Sequence, residues 1–434
     1  MCKADVLVVS VVAIVCASVA PGLARRSPNA DLIEEYYVKG PEAGRYSNNL
    51  LEDAMLDVPG LIAKYGYPIE IHNAITEDGY ILELHRIPHG RDENNVPDPR
   101  KPVVLVQHGL CSSSADFVVM GPGTALAYVF AEAGFDVWLG NARGNYYSRR
   151  HLTLDPDYKP DTGRNDFWTF SWEEIGSKDL PAMIDYILAI TGKPGLHYVG
   201  HSQGTTVFFV MGSLRPEYNN KIISMQAYAP VAYMEHNTNP ILGALAPYAN
   251  SIEVLASIFG IDEILSKSPF YAWIGNKFCS DEAISQIVCS HLLFLIGGRS
   301  EELHNATMLP LKLAHTPAGI SLRQLAHYGQ HIHKGYFRRY NYGPISNLIV
   351  YGSFQPPLID LSLVTAPVFL HYAEVDPFAA LPDVDRLWRE LGRPIQKILV
   401  PHRTFSHVDF MWGTEAKSLL YDKTINILRS IEDL

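Results

Sequence analysis

The stretch of this chain with the clearest capacity for chemistry is Gly200-His201-Ser202-Gln203-Gly204. A serine in G-x-S-x-G spacing can act as a nucleophile when a sharp turn holds its hydroxyl clear of the chain. The flanking glycines remove Cβ atoms where neighbouring backbone must come close. An alkyl hydroxyl is a weak nucleophile near neutral pH, so it needs an imidazole to take its proton. A carboxylate must in turn steady that imidazole. Two backbone N–H groups are also required for the oxyanion of a tetrahedral intermediate. Gln203, directly after the serine, offers one at a helix N-terminus, and Leu110 in His108-Gly109-Leu110 offers the other. Without those partners, the same five residues are an ordinary Gly-Ser-Gly loop.

The flanking pattern predicts the elements that would position the serine. Leu196 to Val199 reads as a buried strand and Thr205 to Val210 as the start of a helix. Pro102 to Gln107 is a β-branched run suited to a parallel sheet covered on both faces, and it delivers the His108 loop at its carboxyl end. Phe135 to Leu139 is a further strand, ending in the loop Asn141 to Asn145. Trp172 to Ile190 has helical spacing and leads into the serine strand, and Ile222 to Ala229 follows as another strand. Upstream, Asp78-Gly79 turns a hairpin between Pro68–Ile75 and Tyr80–Ile87. From about Tyr233 the pattern turns helical and apolar, for example Ile241 to Tyr248, and Ile252 to Leu265 with Val254, Ile258, Ile261 and Leu265 on one face. Strands return at Pro367 to Tyr372 and Ile395 to Val400, before a final helix, Thr414 to Ile431.

The expected architecture is α/β: a mostly parallel central sheet with an inserted helical cap. Its divisions are residues 58–232 for the first part of the core, 233–357 for the cap and 358–434 for the second part. In such a core the acid and then the histidine follow the serine along the chain. Asp376 and Glu374 both lie just past the strand ending at Tyr372. His402 and His407 both follow the last strand. His407 has the longer loop and the better reach, while His402 directly after Pro401 reads as surface. His108 and His201 read as supports rather than participants. The other histidines are scattered and form no H-E-x-x-H, so no metal or other cofactor is expected.

Composition narrows the setting. The chain has 434 residues and a formal net charge of −11, with no basic stripe of the kind that nucleic acid binding needs. Residues 1–24 read as a signal peptide, with Lys3, an apolar run from Val6 to Ala20 and the small-x-small site Gly22-Leu23-Ala24. The run is short for a membrane span, and none occurs later. Export, secreted or lysosomal, is the expectation. Residues 25–57 read as a polar extension without organised structure. In an oxidising compartment Cys279 and Cys289 can close a short loop, or stand as two thiols, with Cys111 left over. Asn305-Ala306-Thr307 is the sole glycosylation sequon.

From about Val58 to Leu428 the chain resembles the acid lipase family, which includes gastric lipase, lysosomal acid lipase and insect relatives. The resemblance is carried by Gly66-Tyr67-Pro68, Thr76 to Leu82, Gln107 to Leu110, Asn141 to Asn145, Phe170-Ser171-Trp172, Tyr198 to Thr206 and Ser406 to Phe410. It implies an α/β-hydrolase core, a mobile lid within the cap, and the triad Ser202, Asp376 and His407 with oxyanion donors Leu110 and Gln203. It also implies neutral-lipid substrates such as triacylglycerols or sterol esters, met at a lipid–water interface. A cap cysteine common in the family reads Gly297 here, and the Ala-Asp-Pro stretch after the acid reads Ala379-Ala380-Leu381-Pro382. The alternatives are a carboxylesterase for soluble short-chain esters and a non-enzymatic lipid carrier. The carrier predicts a lost nucleophile or base, and the esterase predicts no response to an interface. Apolar residues at 241–265 and Leu292 to Ile296 suit a lid and equally suit cap–core packing.

Overall fold

The computed structural model describes residues 48–159, 165–258, 260–267, 297–298 and 302–433. The expected signal peptide at residues 1–24, Cys279, Cys289 and Leu292 to Ile296 lie outside the described residues.

The strands are β1 (Glu70–Ile75), β2 (Tyr80–Ile87), β3 (Val103–Gln107), β4 (Asp136–Gly140), β5 (Arg150–His151), β6 (Leu196–His201), β7 (Ile222–Tyr228), β8 (Glu263–Ile264), β9 (Ile320–Ser321), β10 (Val368–Tyr372) and β11 (Pro394–Leu399). The main sheet runs β1-β2-β4-β3-β6-β7-β10-β11, with β5 paired to β2. From β4 to β11 every pairing is parallel, while β2 is antiparallel to both β1 and β4. β3, β4 and β6 are buried along their whole length, as expected for continuous apolar runs covered on both faces. This is an α/β-hydrolase core, and β6 sits near its middle.

The helices used below are α1 (Asn48–Met55), α2 (Val58–Lys64), α3 (Leu126–Glu132), α4 (Leu180–Thr191), α5 (Gln203–Leu214), α6 (Pro240–Leu245), α7 (Ala249–Ile258), α8 (Leu309–His315), α9 (Leu322–Lys334), α10 (Pro344–Tyr351), α11 (Leu381–Glu390), α12 (Asp409–Trp412) and α13 (Asp422–Glu432). Among the described residues no helix is long and apolar enough to cross a membrane.

Three local readings change. Residues 48–55, taken from sequence as unorganised extension, form α1, and Leu50, Asp53 and Ala54 are buried. The helix expected from Ile252 to Leu265 stops at Ile258. Gly260 and Leu265 take positive φ, and β8 pairs there with β9. Of its expected apolar face, Val254 is exposed, whereas the neighbouring Glu253 is buried beside Arg323 and Tyr340. Hydrophobic spacing alone could not register that a buried ion pair turns this helix. The expected Trp172–Ile190 helix is interrupted by one wide turn at Ile175–Asp179, which lets Pro181 sit in the first turn of α4 without losing a needed N–H.

Candidate active site

Ser202 stands between β6 and α5 with φ 53 and ψ −116, a conformation that costs a side-chain-bearing residue energy. Its surroundings hold it there: Ser202 N–H donates to Tyr228 O at 3.0 Å, and Ser202 O accepts from Thr205 N–H and Oγ1. The two glycines of the motif permit the turn through close approach. A Cβ on Gly200 would lie 2.6 Å from Gly204 O, and one on Gly204 would lie 2.3 Å from Gln107 O.

The structure brings the three separated candidates together. His407 Nε2 lies 2.8 Å from Ser202 Oγ. His407 Nδ1 lies 2.9 and 2.8 Å from the two carboxylate oxygens of Asp376. Asp376 Oδ1 also accepts the backbone N–H groups of Phe378 and Ala379, so the altered Ala379-Ala380-Leu381-Pro382 stretch still encloses the carboxylate. Burial works against the charge on Asp376. The facing imidazole of His407 and the two N–H donors outweigh it and hold the carboxyl below its usual range. The rival candidates are elsewhere: Glu374 is exposed, and His402 is partly buried near Glu302.

The loop after β3 lies against Ser202. A Cβ on Gly109 would fall 3.2 Å from Ser202 Cβ, which places Leu110 at the rim of the site. Gln203 is the first residue of α5, where a helix leaves its N–H groups without internal acceptors. Two histidines read as supports do support. His108 Nδ1 donates to Gly109 O, and its Nε2 accepts from Ala142 N–H and Asn145 Nδ2. Burial pushes His108 down to about 4, which keeps that tautomer neutral. His201 Nε2 donates to His407 O at 2.9 Å, tying the two loops, and burial with the adjacent His407 pushes it down to about 3.

Sequence reasoning missed three contributors. Arg143 is buried with its Nε 2.7 Å from Asp179 Oδ1, its Nη1 2.8 Å from Asp78 Oδ2, and its guanidinium 4.0 Å above the Tyr80 ring. It joins the hairpin turn to the β4 loop behind the His108 support. Asp409 Oδ2 accepts Ser406 N–H at 2.7 Å and so shapes the backbone that carries His407. Gln324 of α9 accepts a hydrogen bond from Gln203 Nε2 at 2.8 Å, reaching from the helical region to the residue beside Ser202. An arginine inside the short Asn141–Asn145 loop at a strand's carboxyl end was the one available sign; Gln324 gave none.

Gly297 also finds its reason here. Its carbonyl accepts from Ser406 Oγ, and a Cβ on it would lie 2.3 Å from Val408 Cγ1. A cysteine at this position would require the Val408 side chain, next to His407, to move. Cys111 is free, and burial pushes its thiol up to about 12, so it is a poor nucleophile. Asn305 caps a short turn by accepting Thr307 N–H.

Chemically, this geometry can pass a proton from a serine hydroxyl to an imidazole whose tautomer a carboxylate holds. A model of a partial α/β-hydrolase lipase region matches residues 58–121, and a model of the α/β hydrolase fold matches residues 102–251. Lipase 1 of Drosophila melanogaster is 43% identical over 397 residues, 91% of this chain and 84% of its own length. Lipase 3 of the same organism is 42% identical over 367 residues, 85% of this chain and 91% of its own. Gastric triacylglycerol lipase of Homo sapiens is 35% identical over 378 residues, 87% of this chain and 92% of its own.

Proposed function

Because this chain belongs to the α/β-hydrolase lipase family that includes gastric triacylglycerol lipase, we propose that it hydrolyses carboxylic esters of neutral lipids, triacylglycerols or sterol esters, through an acyl-enzyme on Ser202. The observation that carries this reading is the contact of Ser202 Oγ with His407 Nε2 at 2.8 Å, with Asp376 on the far side of the ring.

Ser202 Oγ attacks the ester carbonyl carbon as His407 Nε2 takes its proton. Asp376 holds Nδ1–H and stabilises the imidazolium. The carbonyl oxygen, now negative, is held by the N–H groups of Leu110 and Gln203, each of a kind worth about 3–4 kcal/mol to a transition state. The C–O bond to the alcohol breaks, and His407 returns the proton to the leaving oxygen. Water then attacks the acyl-serine with its proton going to His407, and the carboxylic acid departs as Ser202 recovers its hydrogen. No cofactor enters any step.

Around this site, residues 233–357 serve as the cap and contain the lid. The protein is exported after cleavage near Ala24 and is secreted or lysosomal, with a glycan on Asn305 and a disulfide between Cys279 and Cys289. The test is hydrolysis against substrate concentration for a triacylglycerol and a soluble short-chain ester. A rise in rate once the triacylglycerol exceeds its solubility is expected. Turnover confined to the dissolved short ester would make the enzyme a carboxylesterase instead.

A further inference from the structure

Helix α10 is built inside out. Its inward residue Asn347 is 1% exposed, accepting Tyr342 N–H and donating to Asn341 Oδ1 and Phe354 O. Tyr351 OH donates to Tyr340 O, and its ring lies under Arg339, whose Nε is bound to the buried Glu173 of the core. The side chains turned to water are the apolar ones. Ile345 is 78% exposed and Ile349 81%, with Leu348 and Val350 beside them and Phe354 and Leu358 exposed just beyond the helix. Ile345, Leu348 and Ile349 follow the i, i+3, i+4 spacing of one helix face.

The backbone is pinned at both ends. Gly343 and Gly352 take positive φ, and Gly352 N–H donates to Leu348 O. The outward face is therefore held by polar anchoring from beneath. Removing apolar surface from water is favourable, so a fixed face of this kind is stabilised by an apolar occupant.

Charge selects the occupant. No Asp, Glu, Lys, Arg or His lies between Arg339 and Asp360, and the two cations beside this stretch are engaged elsewhere, Arg338 with Gln355 Oε1 and Pro356 O and Arg339 with Glu173, so the apolar face of α10 itself carries no charge. The chain as a whole carries −11, which opposes a second copy or an anionic membrane but not an uncharged oil surface. Resting on the function proposed above, we infer that α10 is a fixed docking face for a neutral lipid–water interface, separate from Ser202 and its partners.

The experiment uses the full mature chain carrying Ser202→Ala, so that binding is read without turnover. Its flotation with a phosphatidylcholine-coated triolein emulsion is compared with that of the same protein also carrying Ile345→Ser and Ile349→Ser. Both isoleucines are mostly in water already, so the fold should be unaffected. The added pair should weaken partition into the emulsion at least about tenfold. Introduced into the protein with Ser202 intact, the pair should leave turnover of dissolved p-nitrophenyl butyrate unchanged. A further variant, Ile349→Trp, should bind more tightly, since tryptophan favours such boundaries. Equal flotation with and without the serine pair would overturn the inference. So would sedimentation showing a dimer that the pair splits, which would assign the face to a second copy. Failure of the Ser202 protein to cleave either ester would instead defeat the proposed function, and flotation would still judge the docking face.

Discussion

Arg143 in the core and Lys312 in the helical region are both basic groups withdrawn from water, and the protein treats them oppositely. Arg143 has carboxylates on two sides, Asp179 and Asp78, and an aromatic ring beneath. Burial disfavours its charge, but the two carboxylates more than offset that, and it remains a guanidinium. Lys312, on α8, is fully buried, yet its Nζ has no hydrogen-bond partner among the described residues. The Trp412 ring lies 5.4 Å away, and Asp409 is the carboxylate whose field it feels. Burial pushes Lys312 down to about 7, and burial together with Lys312 pushes the nearby His304 down to about 4.

The contrast separates two jobs. The core rim must hold Ser202, His407 and Asp376 to a fraction of an ångström, and the paired Arg143 and the hydrogen bonds that fix His407, Asp376 and His108 do this. The helical region instead carries, among the described residues, a buried amine without a hydrogen-bond partner at Lys312 and an exposed apolar face on α10.

The largest effect that would break this division concerns Ser202. Ser202→Ala should lower ester hydrolysis by roughly 10⁴- to 10⁶-fold with an unchanged unfolding midpoint. Near-normal turnover would place the chemistry outside the core rim. Next, Arg143→Leu leaves Asp179 buried without its cation and should destabilise the protein by about 3–5 kcal/mol in urea unfolding. A neutral result would mean the pairing contributes nothing to the rim.

Lys312→Met should have the opposite sign and stabilise by on the order of 2 kcal/mol at pH 6. The sign follows from proton counts. The folded lysine loses its proton near 7 and the unfolded one near 10.5, so between those values the unfolded chain binds more protons. Stability from this group is complete above 10.5 and is lost as pH falls through 7. Denaturant titrations across pH 6 to 10 should therefore show a shallower rise for Lys312→Met than for the parent. An unchanged slope would show that Lys312 is compensated after all.

The smallest effect tests the bridge between the two regions. Gln324→Leu removes the acceptor for Gln203 Nε2 and should reduce kcat on a soluble ester by roughly three- to tenfold, with KM little changed. Gln324→Glu, which keeps an acceptor oxygen, should recover most of that loss. An equal fall in both variants would reduce the contact to packing.

Much of the core and the candidate site was legible because its signals are local. The β-branched runs marked β3, β4 and β6. The glycine spacing marked the turn at Ser202, and position after a late strand marked Asp376 and His407. The helical region was less legible because its elements answer to distant partners. α1 becomes helical in contact with α8, and the helix begun at Ala249 stops where β8 finds β9. α10 carries an apolar stripe that spacing rules assign to a core, and the structure turns it to water.

What the sequence by itself determined is the kind of chemistry available: a strained serine, an imidazole and a carboxylate in the right chain order, with N–H donors nearby. Residue type and short-range spacing suffice there, because turns and strands are set by backbone sterics over a few positions. Tertiary structure decided how closely the imidazole of His407 and the carboxylate of Asp376 approach Ser202, that Arg143 is paired and, among the described residues, Lys312 has no hydrogen-bond partner, and which face of α10 meets solvent. Those outcomes depend on desolvation and charge compensation between residues tens to hundreds of positions apart, and no local pattern encodes them.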